Sequence, residues 1–281
     1  MRKIAIILLA AILLPFSTSA KKNNDDHSLK VMSYNIRMGI AKDGTNSWEF
    51  RYPATALMIE DQHPDVFGVQ EAFEFQIKFI EENCTDYESV GVGRDDGKAK
   101  GEFMSIFWNK KTIKMLKWGT FWLSETPEIP SKGWDSKHYR TATWALMKDK
   151  KTGKKFYFVN THLDHRGKEA QKNGLALIVS RIDDINPKGY PMVLTGDFNI
   201  KPNNPALVEL DKIMDSARKV AEKTDNHHTF NGWSNAVTDA VIDYIYVKGF
   251  SKCPEYQTVT KKYADRKFVS DHYPICATLI F

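Results

Sequence analysis

The feature that most constrains this chain is a recurring pattern: a short apolar run that ends on a carboxylate, an amide or an imidazole. It is clearest in PMVLTGDFNIKP (191–202), where Met192, Val193 and Leu194 give way at Gly196 to Asp197 and Asn199. Related runs are KVMSYNI (30–36), DVFGVQ (65–70), SIFWN (105–109), TATWALM (141–147), KFYFVNTHL (155–163), VIDYIYV (241–247) and YPICATLIF (273–281). Rich in Val, Ile, Phe, Tyr and Trp and bounded by polar residues, they read as buried strands. Helical patterns lie between them. Leu175, Ile178, Ile182 and Ile185 recur at three- and four-residue steps and predict a helix over 168–186. A second helix is expected to start at Pro53, turn Leu57 and Met58 inward and end before His63; a third covers 73–83. Strands mixed with helices predict an α/β or α+β sandwich.

The first twenty residues stand apart. A basic start (Arg2, Lys3) precedes an apolar stretch from Ile4 to Phe16, then Thr18, Ser19 and Ala20. That order predicts a leader peptide cut after Ala20 and export to the periplasm or beyond the cell. Residues 21–28, KKNNDDHS, read as a flexible tether, and 29–281 as one domain. Loss of Arg2 and Lys3 with the leader lowers the formal charge from +5 to +3, which permits anionic substrates without demanding them. Arginine is sparse and no basic tail exists, which counts against a polyanion-binding role. The 3 cysteines, Cys84, Cys253 and Cys276, leave at least one thiol without an intramolecular partner. Cys253 and Cys276 are a conceivable pair; small buried residues are the plainer reading.

The polar residues of interest share one position, at or near a strand end: Asn35, Glu71, Asn160, His162, Asp164, His165, Asp197, Asn199, Asp243, Asp271 and His272. In α/β sheets, ligands sit beyond strand ends. Charges beside a core are costly unless paired or bound to metal. Singly, each has a plain alternative. Asn35 and Asp197-x-Asn199 satisfy turns, Glu71 caps the helix at 73–83, His162 packs in a core, and Asp243 is a solvated strand residue.

In order, SYNIR, VQE, THLD, GDFN, DYI and SDH resemble the endonuclease/exonuclease/phosphatase superfamily with its DNase-I-like fold, from about Val31 to the C-terminus. GDFN with a terminal SDHYP is the most specific part of the match. The stretches GVGRDDGKAKGEFMSIFW and FWLSETPEIPSKGWDSKHYRTATWA look like an exported bacterial subgroup related to its deadenylase-like branch. The resemblance implies a four-layer α-β-β-α sandwich of two mixed sheets and hydrolysis of a phosphodiester or phosphomonoester. It implies a metal at Glu71, with Asn35 close by as ligand or orienting group and Asp271 in the same network. Oxygen ligands without cysteine suit Mg²⁺, or Mn²⁺. It implies that Asp197 activates the attacking water, that Asn199 holds phosphate or water, and that His272, oriented by Asp243, contacts phosphate oxygens with His162. The substrates in view are a phosphorylated small molecule, a phospholipid head group or a nucleic acid.

Other residues are read from chemistry alone. Arg140 could bind phosphate through its fork of donors or form a salt bridge at a strand edge. Asp164, His165 and Arg166 are expected to shape the site mouth. Trp118, Trp122 and Trp134 read as core residues beside a proline-bearing loop, or as a substrate lip or membrane-touching rim. His227 and His228 read as a solvated turn. Gly196 is expected to permit a sharp turn or close approach to substrate. A metallo-β-lactamase-like site would want histidine where Asn160 stands, and no Gly-Asn-His-Asp element of the calcineurin-like phosphatases occurs. A non-catalytic binding protein on the same fold should lack Glu71, Asp197 or His272, and all are present.

Overall fold

The computed structural model describes residues 28–281; the expected leader and residues 21–27 of the expected tether lie outside them. The strands are β1 (Ser28–Asn35), β2 (Val66–Gln70), β3 (Tyr87–Val90), β4 (Ile106–Asn109), β5 (Ile113–Trp122), β6 (Thr141–Asp149), β7 (Lys155–His162), β8 (Met192–Asp197), β9 (Asp215–Ser216), β10 (Asp243–Lys248), β11 (Lys252–Thr258) and β12 (Ile275–Ile280). The helices are α1 (Trp48–Gln62), α2 (Glu74–Asn83), α3 (Lys168–Ile185), α4 (Val208–Asp211) and α5 (Ala217–Val220). Ser28, assigned to the tether by its polarity, begins β1.

Two six-stranded sheets form, in the orders β11-β12-β1-β2-β4-β3 and β5-β6-β7-β8-β10-β9. Each holds one parallel pair, β1 with β2 and β7 with β8, and the rest is antiparallel. Parallel neighbours need a crossover, and α1 and α3 supply it. Side chains alternate between faces. On one face Met32, Tyr34, Phe67 and Val69 pack with Ala54, Met58 and Ile59 of α1. On the other, Val31, Val66, Phe156, Phe158, Val193 and Ile245 meet between the sheets. Tyr157, Val159, Met192 and Leu194 turn outward to Leu175, Ile178 and Ile182 of α3. These are the three interfaces of a four-layer sandwich. They explain why the interior strands are apolar throughout, since both faces are covered.

Polar residues tie the sheets together across the inner core. Asn160 of β7 donates from Nδ2 to the carbonyls of Val69 (2.8 Å) and Ser105 (3.0 Å). Its Oδ1 accepts from Gln70 Nε2 at 2.7 Å and Thr195 Oγ1 at 3.2 Å. The amide fits only because Gly68 faces it: a Cβ at residue 68 would lie 2.4 Å from Asn160 Cγ.

Several expectations are corrected. α1 begins at Trp48, with Pro53 inside it. Buried Arg51 secures that early turn, donating to the carbonyls of Asn46 (2.6 Å), Ile36 (2.9 Å) and Val269 (2.7 Å). These tertiary bonds outweigh the cost of a proline within the helix. Leu57 is exposed; Met58 alone of that pair faces the core. His228 is buried, stacked on His227 at 4.3 Å and edge-on to Tyr273, so this is no solvated turn. The three cysteines are buried and free. Among the described residues no helix is long and apolar enough to cross a membrane.

Asn160→Ala should lower unfolding stability by about 2–4 kcal/mol, since it strips partners from several buried polar groups at once. Urea unfolding measures this, and a loss below about 0.5 kcal/mol would contradict the role given to Asn160.

Candidate active site

The site stands where the inner faces turn from apolar to polar. Along β8 the inward residues are Val193, Thr195 and Asp197; along β7, Phe158, Asn160 and His162; along β1, Val31, Ser33 and Asn35. The parallel pairs end together, so Asn35 and His162 come from strand C-termini. Antiparallel β10 and β12 bring Asp243 and His272 from their N-terminal ends. Register makes the meeting specific: Asp197 lies opposite His162 on one side and Asp243 on the other. Gly196 allows it, because a Cβ there would lie 2.2 Å from the Thr161 carbonyl oxygen. The close approach that the structure shows at Gly196 is to neighbouring backbone.

Asp197 is the hub. Its Oδ1 accepts from Asn199 N at 2.9 Å, closing the local turn. Its Oδ2 accepts from Asn35 Nδ2 at 3.0 Å and lies 3.4 Å from His162 Nε2 and 3.7 Å from His272 Nε2. One carboxylate oxygen closes the turn and the other joins the strand-end cluster. Asn35 likewise spends Oδ1 on Arg37 N (3.0 Å) and Nδ2 on Asp197 and Glu71 Oε1 (3.1 Å). Glu71 follows β2 in the left-handed region, φ 62°, and its Oε2 accepts from Met38 N at 3.0 Å. It does not cap α2; Gln76 Oε1 does, accepting from Phe73 N at 3.1 Å. Asn199, also left-handed at φ 53°, places Nδ2 3.0 Å from His162 Nε2. Non-glycine residues held there are strained, a recurrent property of functional positions.

His272 Nδ1 is 2.9 Å from Asp243 Oδ2, and both residues are buried, so Asp243 is no solvated strand residue. Burial disfavours the charged imidazole, but Asp243, Asp197 and Asp271 outweigh it and hold the His272 pKa well above the ordinary value. His162 goes the other way: burial, then Arg140, Arg94 and His272, push it well below, so its ring is neutral. Burial, with Asp243 and Glu71 nearby, raises the Asp197 carboxyl against the pull of His272.

Glu71, His162, Asp197, Asn199 and His272 line one cavity of about 470 Å³ together with Arg37, Met38, Arg94, Glu102, His138, Arg140, His165, Phe230, Ile242 and Asp271; Asp243 and Asn35 stand behind its wall. Arg140 is buried on its wall. Its Nε faces Asp164 Oδ2 at 3.4 Å and an Nη lies 3.3 Å from His165 Nδ1, while Nη1 has no hydrogen-bond partner. Asp164 does not reach the mouth: it is buried and also accepts from Ser136 Oγ (3.0 Å), Arg166 N (2.9 Å) and Gly167 N (2.9 Å). Trp122 is buried and Trp118 half exposed on edge strand β5. Arg94, Glu102 and His138 escaped notice because they stand on loops, outside any strand-end pattern.

Burial and the nearby Glu71 raise the carboxyl of Asp271, as they do that of Asp197. Such crowding of hard oxygen donors, with no thiol among them, fits a divalent cation. Two groups have ligand atoms converging within 4.8 Å among the described residues: Glu71 with His162 and Asp197, and Asp197 with Asp243 and His272. Asp271 belongs to neither; its Oδ2 faces Arg37 Nε at 3.6 Å.

The chain resembles solved structures over nearly all its length. An endonuclease/exonuclease/phosphatase family protein from Bacteroides thetaiotaomicron superposes with a TM-score of 0.87 at 35% identity, covering 91% of this chain and 98% of that one. A mannosyl-6-phosphatase from the same species gives 0.86 at 35% identity, covering 90% and 100%. Sphingomyelinase C 2 of Leptospira interrogans is 23% identical across 91% of this chain; the match spans 46% of that larger protein. The sequence profile described as Endonuclease/Exonuclease/phosphatase family matches residues 32–272. With the two-sheet sandwich and the strand-end cluster around Asp197, this match shows that the chain belongs to the endonuclease/exonuclease/phosphatase family.

Proposed function

We propose that this protein is a divalent-metal-dependent phosphoester hydrolase acting on phosphomonoesters, with water activated at Asp197. The observation that carries the reading is the buried chain Asp243–His272–Asp197, with Asn35 bonded to both Asp197 and Glu71 beside the cavity that Glu71, Asp197 and His272 line. The leader pattern of residues 1–20 supports export.

Glu71 would hold the cation, Mg²⁺ or Mn²⁺, with Asn35 orienting it and Asp197 beside it. When bound, the cation supplies charge neutralisation at the phosphoryl oxygens. Asp197 accepts the proton of the attacking water as the new P–O bond forms and the bond to the leaving alkoxide breaks. Burial raises its pKa and so makes the ionised carboxylate the stronger base for that step. The His272 imidazolium donates to the developing charge, its other nitrogen fixed by Asp243. Neutral His162 and Asn199 position phosphate or water. Arg140 lies near enough to offset the second negative charge of a monoester.

The monoester preference rests on similarity to the mannosyl-6-phosphatase along almost the whole of both chains. The relation to a sphingomyelinase C supports a second reading, a phospholipid diester substrate. Metal-stripped protein should release nitrophenol from p-nitrophenyl phosphate only after Mg²⁺ or Mn²⁺ is restored, and faster than from the bis-p-nitrophenyl diester. Activity that survives EDTA would sink metal dependence; preference for the diester would shift the reading to phosphodiesters.

Asp197→Asn should fold normally by circular dichroism yet lose at least about 10³-fold in kcat, because the base is gone. Asp243→Asn tests the histidine. Without that carboxylate the His272 pKa falls, so the imidazolium is lost at lower pH. The alkaline limb of the kcat profile should move to lower pH; an unmoved limb would rule out the charged ring as the acting species.

A further inference from the structure

One charged pair on the cavity wall has no part in the steps above. Arg94 and Glu102 are 7% and 4% exposed, and Arg94 Nη1 donates to Glu102 Oε2 at 2.5 Å. Both line the same cavity as Glu71 and Asp197. The loop carrying them is tightly braced. Arg94 N donates to the Glu102 carbonyl (3.0 Å) and Trp122 Nε1 to the Arg94 carbonyl (2.7 Å). Phe103 N donates to the carbonyl of Ala72 (2.7 Å), next to Glu71. Asp96 Oδ1 accepts from the amides of Lys98 (2.8 Å) and Lys100 (3.0 Å). A buried ion pair is a poor source of stability, because desolvation offsets its attraction. This pair is held beside a reaction centre, and Arg94 Nε makes no hydrogen bond, with Asp95 Oδ1 3.9 Å away.

The pair combines a carboxylate, which only accepts, with a guanidinium, which only donates. Adjacent hydroxyl groups match both, since each hydroxyl donates one hydrogen and accepts through its lone pairs. A second phosphate matches less well, because it would face Glu102 and Glu71 together. An apolar leaving group would cover the pair without matching its remaining donors and acceptor.

We propose that Arg94 and Glu102 form the leaving-group subsite and select phosphomonoesters of polyhydroxylated alcohols, sugars above all. Glu102 accepts from two ring hydroxyls and Arg94 donates to one of them, while the phosphoryl group lies at Asp197 and Glu71. The inference rests on the hydrolase reading and adds to it the source of specificity.

The test compares kcat/KM for a hexose 6-phosphate with that for p-nitrophenyl phosphate, whose leaving group has no hydroxyls to match. Glu102→Gln keeps the side-chain shape and Arg94→Lys keeps the charge. Each should lower the ratio of sugar phosphate to nitrophenyl phosphate turnover at least about ten-fold. Equal losses on both substrates, or an unchanged ratio, would overturn the subsite. Wild-type turnover of nitrophenyl phosphate alone would overturn it too while leaving the hydrolase reading intact. If neither is hydrolysed, calorimetric titration with hexose 6-phosphate decides. Binding that Glu102→Gln weakens at least about ten-fold supports the subsite and sinks the hydrolase reading; absence of binding sinks both.

Discussion

The contact on which the rest depends is the amide of Asn160, lodged between the sheets. It joins β7 to the carbonyls of Val69 and Ser105 and to the side chain of Gln70. Apolar packing is non-directional and lets two sheets slide. Buried hydrogen bonds have narrow geometry and penalise any slip. The clustered polar groups come from both sheets, Asn35 and Glu71 from one and Asp197 from the other, joined by single hydrogen bonds. A slip of a fraction of a residue would separate them.

A gradient runs along the inner core from this tie. At one end the sheets meet through Val31, Val66, Phe158 and Val193. Next come Ser33, Gln70, Asn160 and Thr195, each buried and hydrogen-bonded. Beyond them lie charges. Burial there raises Asp197 and Asp271 and lowers His162, while Asp243 reverses the direction at His272. The same low dielectric that penalises these groups makes them strong when a charge develops between them. The cavity wall mixes both signs: Glu71, Asp197, Asp271 and Glu102 with Arg37, Arg94 and Arg140.

The residues legible in the chain were those at ends of apolar runs. Asp197, His272, Asp243, Glu71, Asn35, His162 and Asn199 all converge as their positions imply. Arg94 and Glu102 were not legible, because a loop carries no period to show which side chain turns inward. The edge strands were illegible for a related reason. β3, β5, β9 and β11 flank their sheets, and none stands out as an apolar run. β5 exposes lysines and β11 carries Pro254, which edges tolerate and interiors do not. Pro53 misled in the opposite sense, because the bonds of Arg51 to Ile36 and Val269 reach far along the sequence.

By itself, the sequence determined the interior strands, the crossover helices, the sandwich and which polar side chains stand at strand ends. Burial on both faces writes a continuous apolar run, and a polar residue closing such a run must answer to something beyond it. Only the tertiary structure decided which of them share an oxygen, which way burial and neighbours shift each histidine and which loop residues join the cavity wall. Those properties depend on distance and burial between residues as far apart as Asn35 and Asp197, or Asp243 and His272. Local periodicity records the environment of a residue, not the identity of its neighbour.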